Sequence, residues 1–236
     1  MQKPHALLRS YFAAFLDLLF PRYCLACHGG LVTGEETVCT ACRHELPRTE
    51  SHLRMNETLH LKMAGRAPVA SLNAYLIFTK GGKVQHLLHA LKYKGHQEVG
   101  ELLGRWYGAE LKEVNFSEKL DLILPVPLHK KKQSARGYNQ SDCFAKGLSE
   151  GLSVEWSPSV LRKGKITESQ TRKTRLERLQ NVQDVFFVEK PEAVQGKRIA
   201  LVDDVITTGA TLEACVTVLL EAGAQEVHLI TIATAT

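Results

Sequence analysis

At 236 residues and 44% hydrophobic content the chain can bury a core as one large domain or as a small one joined to a medium one. With 23% charged residues, 7% aromatics and no proline-rich or serine-rich tract, the composition excludes a long disordered protein. The net charge of +5 favours anionic ligands as a class (phosphates, nucleic acid or an acidic membrane surface) without choosing among them.

No internal repeat is found. Residues 6–20, ALLRSYFAAFLDLLF, are interrupted by Arg9 and Asp17 and fall short of the roughly 20 residues a bilayer span needs. Leu7, Leu8, Tyr11, Phe12, Phe15, Leu16 and Leu19 recur at helical spacing. An amphipathic helix packed on its own protein is expected, with contact at a membrane surface as the sharper alternative. No integral membrane segment is expected, and no signal-peptide cleavage site precedes the cysteines.

Cys24-x-x-Cys27 and Cys39-x-x-Cys42 form two pairs separated by eleven residues in CLACHGGLVTGEETVCTAC. Each pair can present two thiolates on a tight knuckle, and two knuckles can close a tetrahedral structural zinc site. Four thiolates leave no open position for water or substrate, which argues against metal hydrolysis. Paired disulfides are the alternative, disfavoured without a secretion signal. His28 and His44 lie beside the cysteines and are expected to face solvent, and Cys143 and Cys215 are expected as small buried residues.

Residues 47–66 are polar with weak periodicity and are read as the connection between two domains, 1–60 with helix and ribbon and 61–236 with the rest. Residues 69–79 predict a strand, Gly81 and Gly82 a turn, and KVQHLLHALKYKG a helix whose Val84, Leu87, Leu88 and Leu91 share a face and which Gly95 ends. The next helix carries Gly100, Gly104 and Gly108 on one face, at about 1 kcal/mol each relative to alanine. Something must approach that face closely. Glu101, Arg105 and Glu110 exclude a lipid setting, so a sheet or a neighbouring helix is expected there.

From Asp121 the pattern reads strand (DLILPVPL), loop (HKKKQSARGYNQS) and helix (DCFAKGLSEGL). A short strand near 158–161, a basic polar stretch at 162–181 and a strand at 185–188 follow. The last unit is a strand at 198–202, a loop, a helix from about Ala210, a turn at Gly223 and the strand EVHLITIAT. Alternating strands and helices imply right-handed βαβ units, an α/β fold with a mainly parallel sheet, and ligands outside the carboxyl ends of the strands.

In IALVDDVITTGAT (199–211) the apolar run predicts a strand buried on both faces, with Asp203 and Asp204 emerging at its carboxyl end. The following threonines and glycine precede a helix N-terminus, a combination that cradles a phosphate. The ending of a nucleoside triphosphate P-loop and the glycine pattern of a dinucleotide fold are both missing. Two carboxylates suit a polyhydroxylated ligand and can help hold Mg2+ through water, so a sugar phosphate satisfies both halves.

ALVDDVITTGAT resembles the 5-phosphoribosyl 1-diphosphate (PRPP) motif of type I phosphoribosyltransferases along its full length. Together with the cysteine ribbon, LKYKG (91–95), PVPLHKKKQSARGYNQS (125–141) and ESQTRKTRLERLQNV (168–182), it resembles the ComF/GntX family, the competence-protein branch of that fold. The resemblance implies that Asp203 and Asp204 bind the ribose hydroxyls, and that Thr207, Thr208, Gly209, Ala210 and Thr211 wrap the 5-phosphate. It places Arg136, Gly137, Tyr138, Asn139 and Gln140 at the diphosphate, with Gln170, Arg175, Arg178 and Asn181 in a loop closing over PRPP. Without it, Lys130, Lys131, Lys132 and Arg136 make a solvated basic loop, and 168–182 a surface helix held by Arg/Glu pairs.

Two functions follow as expectations. In the first, an enzyme with Asp203, Asp204 and Arg136 as its catalytic set displaces diphosphate from ribose C1 with Mg2+, passing the phosphoribosyl group to an acceptor that no residue set identifies. The second, implied by the competence resemblance, is a single-stranded-DNA-binding factor working with a helicase in DNA uptake, PRPP being a regulatory ligand. A cytoplasmic location is expected, peripheral at the inner face of the membrane if the first helix contacts lipid.

Overall fold

The computed structural model describes residues 21–164 and 185–235. Residues 6–20 and Gln170, Arg175, Arg178 and Asn181 of the closing loop lie outside them. Four strands, β1 (Ser71–Phe78), β2 (Leu122–Pro125), β5 (Arg198–Ile206) and β6 (Glu226–Ala235), form an all-parallel sheet in the order β1-β6-β5-β2. Their near-continuous apolar runs serve two faces at once. Ala200, Val202, Ile230 and Ile232 enter one core, and Ile199, Leu201, Val227 and Leu229 enter the other, as the two-residue repeat of a strand requires. The first core is covered by α3 (Lys83–Tyr93), α4 (Gln97–Glu113) and α6 (Gln140–Leu152), the second by α7 (Ala210–Glu221) and the short α2 (Glu57–Leu61).

Both sheet edges are covered. On β1, Thr49 N donates to Tyr75 O at 3.0 Å and Ile77 N to Pro47 O at 2.8 Å. On β2, Ile123 N donates to Glu155 O at 2.8 Å. The stretch 47–66, read from sequence as a connection, therefore packs on the sheet and sends Leu59 and Met63 into the second core. The cysteine-bearing segment, with α1 (Thr40–Glu45), packs on α3. Cys24, Ala26, Val38, Cys42 and Leu46 share the first core with Val84, Leu87 and Leu91, and the His86 imidazole lies 2.8 Å from Ala26 O.

Three local expectations are corrected. Residues 130–136, read as loop, form helix α5 (Lys130–Arg136), because lysine, glutamine, alanine and arginine are good helix formers and Gly137 at φ 82 ends it. The strand expected near 158–161 lies at β3 (Leu161–Gly164), where it pairs antiparallel with β4 (Val185–Val188) in a separate two-stranded sheet. Strand β5 does not stop at Val202. It continues to Ile206 because β6 still pairs with it there, whereas β2 ends opposite Val202.

The glycine face of α4 meets a second one on α6. A Cβ on Gly104 would lie 2.5 Å from Phe144 O, and one on Gly147 would lie 2.1 Å from Glu101 O, so the two backbones touch. Lys146 to Glu101 (2.8 Å) and Arg105 to Glu150 (3.2 Å) flank the contact. Gly147→Ala forces these helices apart and is expected to cost about 3 kcal/mol or more. Gly30→Ala, where nothing lies within 4 Å of the new Cβ, is expected to cost less than about 0.5 kcal/mol. Urea midpoints of the two variants check this, and equal midpoints would contradict the close backbone contact.

Candidate functional site

The difference in strand length builds the site. Beyond Val202, β5 has no partner on its β2 side, so Asp203 and Asp204 stand at the rim of a gap between β5 and the segment leaving β2. Ser141, in the first turn of α6, donates its hydroxyl to Asp203 Oδ1 at 2.9 Å, and the Asp204 N–H donates to the same oxygen at 2.8 Å. Burial, reinforced by the neighbouring Asp204 charge, pushes the Asp203 carboxyl up to about 7. Asp204 pairs with Lys92 Nζ at 2.9 Å, a cation from the last turn of α3.

The loop after β5 turns at Gly209, which has φ 79 and caps α7. A Cβ there would also lie 2.9 Å from Lys62 O and from Met63 Sδ, so both dihedral and space require glycine. Asp203 and Thr207 to Thr211 line a cup of about 50 Å³ at the start of this helix. No side chain caps α7, which leaves the N–H groups of its first turn to face an anion.

Across the gap lies a cavity of about 430 Å³, lined by Lys92, Lys132, Arg136 and Lys163 opposite Asp203, Asp204 and Thr211. The expected diphosphate segment lies along it. Arg136 Nη1 donates to Gln140 Oε1 at 2.6 Å, and its guanidinium carbon sits 5.2 Å from the Tyr93 ring centroid. Asn139 caps α6 and bonds Val126 O at 3.0 Å and Asp142 Oδ1 at 2.6 Å, while the Tyr138 hydroxyl donates to Leu91 O. Tyr138 and Asn139 thus hold the segment in shape, Gly137 ends α5, and Arg136 brings charge to the cavity. The side chains of Lys130 and Lys131 lie outside the described residues.

The sequence expectation missed Lys92, Ser141 and Lys163. Lys92 follows Leu91 at the end of an amphipathic helix, where a lysine is ordinary, and only its place in LKYKG set it apart. Ser141 is an N-terminal helix serine, and Lys163 lies in a strand that was assigned to the basic stretch.

The four ribbon cysteines converge: their Sγ atoms all lie within 4.8 Å of one another, and Cys27 and Cys39 are 3.9 Å apart. A tetrahedral zinc with Zn–S bonds near 2.3 Å sets sulfur separations of about 3.8 Å, so the set fits. The Cys39 N–H donates to Cys24 Sγ at 3.3 Å and the Gly29 N–H to Cys27 Sγ at 3.4 Å, contacts that favour thiolates. All four cysteines are free of disulfides, Cys143 and Cys215 are buried, and His28 and His44 are exposed and outside the cluster. Among the described residues no helix is long and apolar enough to cross a membrane.

A phosphoribosyl transferase domain model matches residues 143–235, and a double zinc ribbon model matches residues 15–53. With the four-thiolate cluster, the ribbon match identifies a structural zinc site. The chain is 28% identical over 235 residues to DNA utilization protein YhgH of Escherichia coli O157:H7, covering 90% of this chain and 96% of that protein. It is 26% identical over 216 residues to competence protein F of Haemophilus influenzae, covering 87% and 94%. A solved structure titled as the allosteric regulatory enzyme of purine biosynthesis aligns at 25% identity with a TM-score of 0.40, over 57% of this chain and 26% of that one. The chain is thus a homologue of DNA utilization protein YhgH and of competence protein F, with a double zinc ribbon match followed by a phosphoribosyl transferase domain match.

Proposed function

We propose that this protein binds PRPP with Mg2+ and transfers its phosphoribosyl group to an acceptor. The observation that carries the proposal is the pair Asp203 and Asp204 set between the Thr207 to Thr211 cup and the basic cavity. The cup takes the 5-phosphate on backbone N–H and threonine hydroxyl donors, and the two carboxylates accept hydrogen bonds from the ribose hydroxyls. Diphosphate then lies toward Arg136, Lys132 and Lys163. The acceptor lone pair forms a bond to ribose C1 as the C1–O bond breaks, and diphosphate departs with the bonding pair. Mg2+ supplies charge neutralisation on the diphosphate. Positive charge developing on the ribose is met by the Asp203 and Asp204 carboxylates, and Arg136 holds the leaving group.

The ribbon is proposed as a structural clamp on α3, which carries Lys92. A second reading is single-stranded DNA binding in DNA uptake alongside a helicase; the words DNA utilization and competence in the relatives' names, and the Lys132, Arg136 and Lys163 cluster, favour its nucleic-acid part.

Calorimetry with PRPP and Mg2+ is expected to give saturable heat for the wild type and at least about a tenfold weaker affinity for Asp204→Asn. No heat from the wild type would remove PRPP from both readings. For Asp203 the sign follows from a raised acid: its contribution to stability is complete below the unfolded value near 3.8 and is lost as pH rises through about 7. Asp203→Asn is therefore expected to be more stable than wild type at pH 8 by at least about 1 kcal/mol and equal to it near pH 3.5. Urea titrations at both pH values test this, and a gain independent of pH would refute it. Metal analysis is expected to find about one zinc per chain, and chelation to lower the melting temperature. A metal-free native protein would contradict the clamp. Single-stranded DNA affinity is expected to fall about a hundredfold or more between about 50 and 200 mM salt. A salt-insensitive affinity would exclude the electrostatic DNA reading.

A further inference from the structure

The four ribbon cysteines are not equivalent. Cys24 and Cys42 are sealed, 0% and 1% exposed, in the core that the ribbon shares with Val84, Leu87 and Leu91 of α3, whereas Cys27 is exposed and Cys39 half-buried. Each knuckle thus contributes one inner and one outer sulfur. The two outer ones, Cys27 Sγ and Cys39 Sγ, lie 3.9 Å apart. A disulfide needs about 2.05 Å, which leaves less than about 2 Å for the two outward side chains to close. Bound to zinc, these sulfurs are held as thiolates, the form that reacts with an oxidant, and exposure admits the oxidant at Cys27 first.

The outer sulfurs also hold the ribbon's local structure. Cys39 is the N-cap of α1, its sulfur accepting the Cys42 N–H at 3.4 Å, and Cys27 Sγ accepts the Gly29 N–H at 3.4 Å. A disulfide sulfur is uncharged and a poorer acceptor than a thiolate, so joining the two weakens both contacts. Helix α1 ends at Glu45, which pairs with Lys83 at the start of α3, and the first knuckle sets Ala26 O 2.8 Å from His86 on the same helix. Each of these polar contacts to α3 therefore starts from a knuckle whose outer sulfur can be oxidised. At the far end of α3, Lys92 meets Asp204 at 2.9 Å.

We propose that the ribbon is an oxidation-sensitive clamp: a peroxide joins Cys27 to Cys39, zinc is released, and α3 loosens together with its Lys92. The Cys27 thiolate attacks one peroxide oxygen, the O–O bond breaks, and hydroxide leaves, giving a sulfenic acid. The Cys39 thiolate then attacks that sulfur and expels a second hydroxide. Two electrons pass from the sulfurs to the peroxide, and the metal keeps only the two inner ligands. The consequence for ligand affinity rests on the phosphoribosyl-donor reading above, while the clamp itself does not.

The test uses the full zinc-loaded chain, titrated with hydrogen peroxide. Zinc release is read with a chromogenic chelator, disulfides by peptide mass mapping, α3 by hydrogen exchange over residues 83–93, and PRPP affinity by calorimetry with Mg2+. Zinc release is expected to follow the Cys27 to Cys39 disulfide one to one, with faster exchange in α3 and PRPP affinity lower by about tenfold. Dithiothreitol with added zinc is expected to reverse all three. Cys27→His keeps a nitrogen ligand for zinc but has no sulfur for the bridge, and is expected to retain zinc at peroxide doses that empty the wild type. A first disulfide that includes Cys24 or Cys42 overturns the proposal, as does oxidation of Cys143 before zinc leaves, or zinc loss that leaves exchange over α3 unmoved. Should Cys27→His bind no zinc, the disulfide map of the wild type decides. If α3 loosens and PRPP affinity is unchanged, the link from clamp to carboxylates is wrong. If the reduced protein binds no PRPP, the donor reading fails, and the clamp stands or falls on zinc release and exchange.

Discussion

The arrangement depends on the unequal pairing of strand β5. It is buried on both faces and bonded on both edges up to Val202, after which β2 ends and only β6 continues. Rigid pairing on one side fixes Asp203 and Asp204 within a strand, while the missing partner on the other side gives them room to face a ligand. Were β2 as long as β6, its backbone would fill the gap in which the basic cavity lies. Were β6 as short as β2, the two aspartates would sit in a loop, without a register to fix which of them meets Ser141 and which meets Lys92.

Two helices then bring the partners of those carboxylates, and each is held from behind. Helix α6 delivers Ser141 because its glycine face locks backbone to backbone against α4, an approach that any side chain at Gly147 would prevent. Helix α3 delivers Lys92 because its apolar face shares a core with the ribbon and its C-terminal turn accepts the Tyr138 hydroxyl at Leu91 O. The ribbon and the glycine face look unrelated to the site in sequence. They act on it through helix placement, with the four thiolates fifty or more residues from Lys92 along the chain and their knuckle packed on the same helix.

Much of this was legible because local chemistry and fold agreed. The two-sided strands, the Gly209 turn and the paired CxxC knuckles are each short-range signals, and each predicts one geometry. Three glycines on α4 announced a close neighbour, although only the structure names α6, whose Gly147 and Gly151 supply the other half of the contact. The end of β5 was not legible, since it is set by how far β6 accompanies it, a property of another segment. Lys92 and Ser141 were hidden for a similar reason: each is an ordinary residue in its own helix, and becomes special only where two helices converge on one strand end. Residues 130–136 misled through composition, because a run of lysines that reads as a solvated loop also has the straight side chains that favour a helix.

The charge pattern that looks contradictory in sequence balances in three dimensions. Two adjacent carboxylates would repel a phosphate, at an effective dielectric near 20 by about 4 kcal/mol for unit charges about 4 Å apart. Burial and the adjacent Asp204 charge raise the Asp203 carboxyl and so favour its neutral form, and Lys92 offsets Asp204, which together reduce the negative charge at the strand end. Lys132, Arg136 and Lys163 then leave an excess of positive charge on the β2 side alone, while the α3 side is walled by Phe78, Leu88 and Val205. The site is thereby polarised across one residue, Asp204, with a flank on the β2 side whose basic side chains suit a highly charged group and a flank on the α3 side walled by apolar side chains.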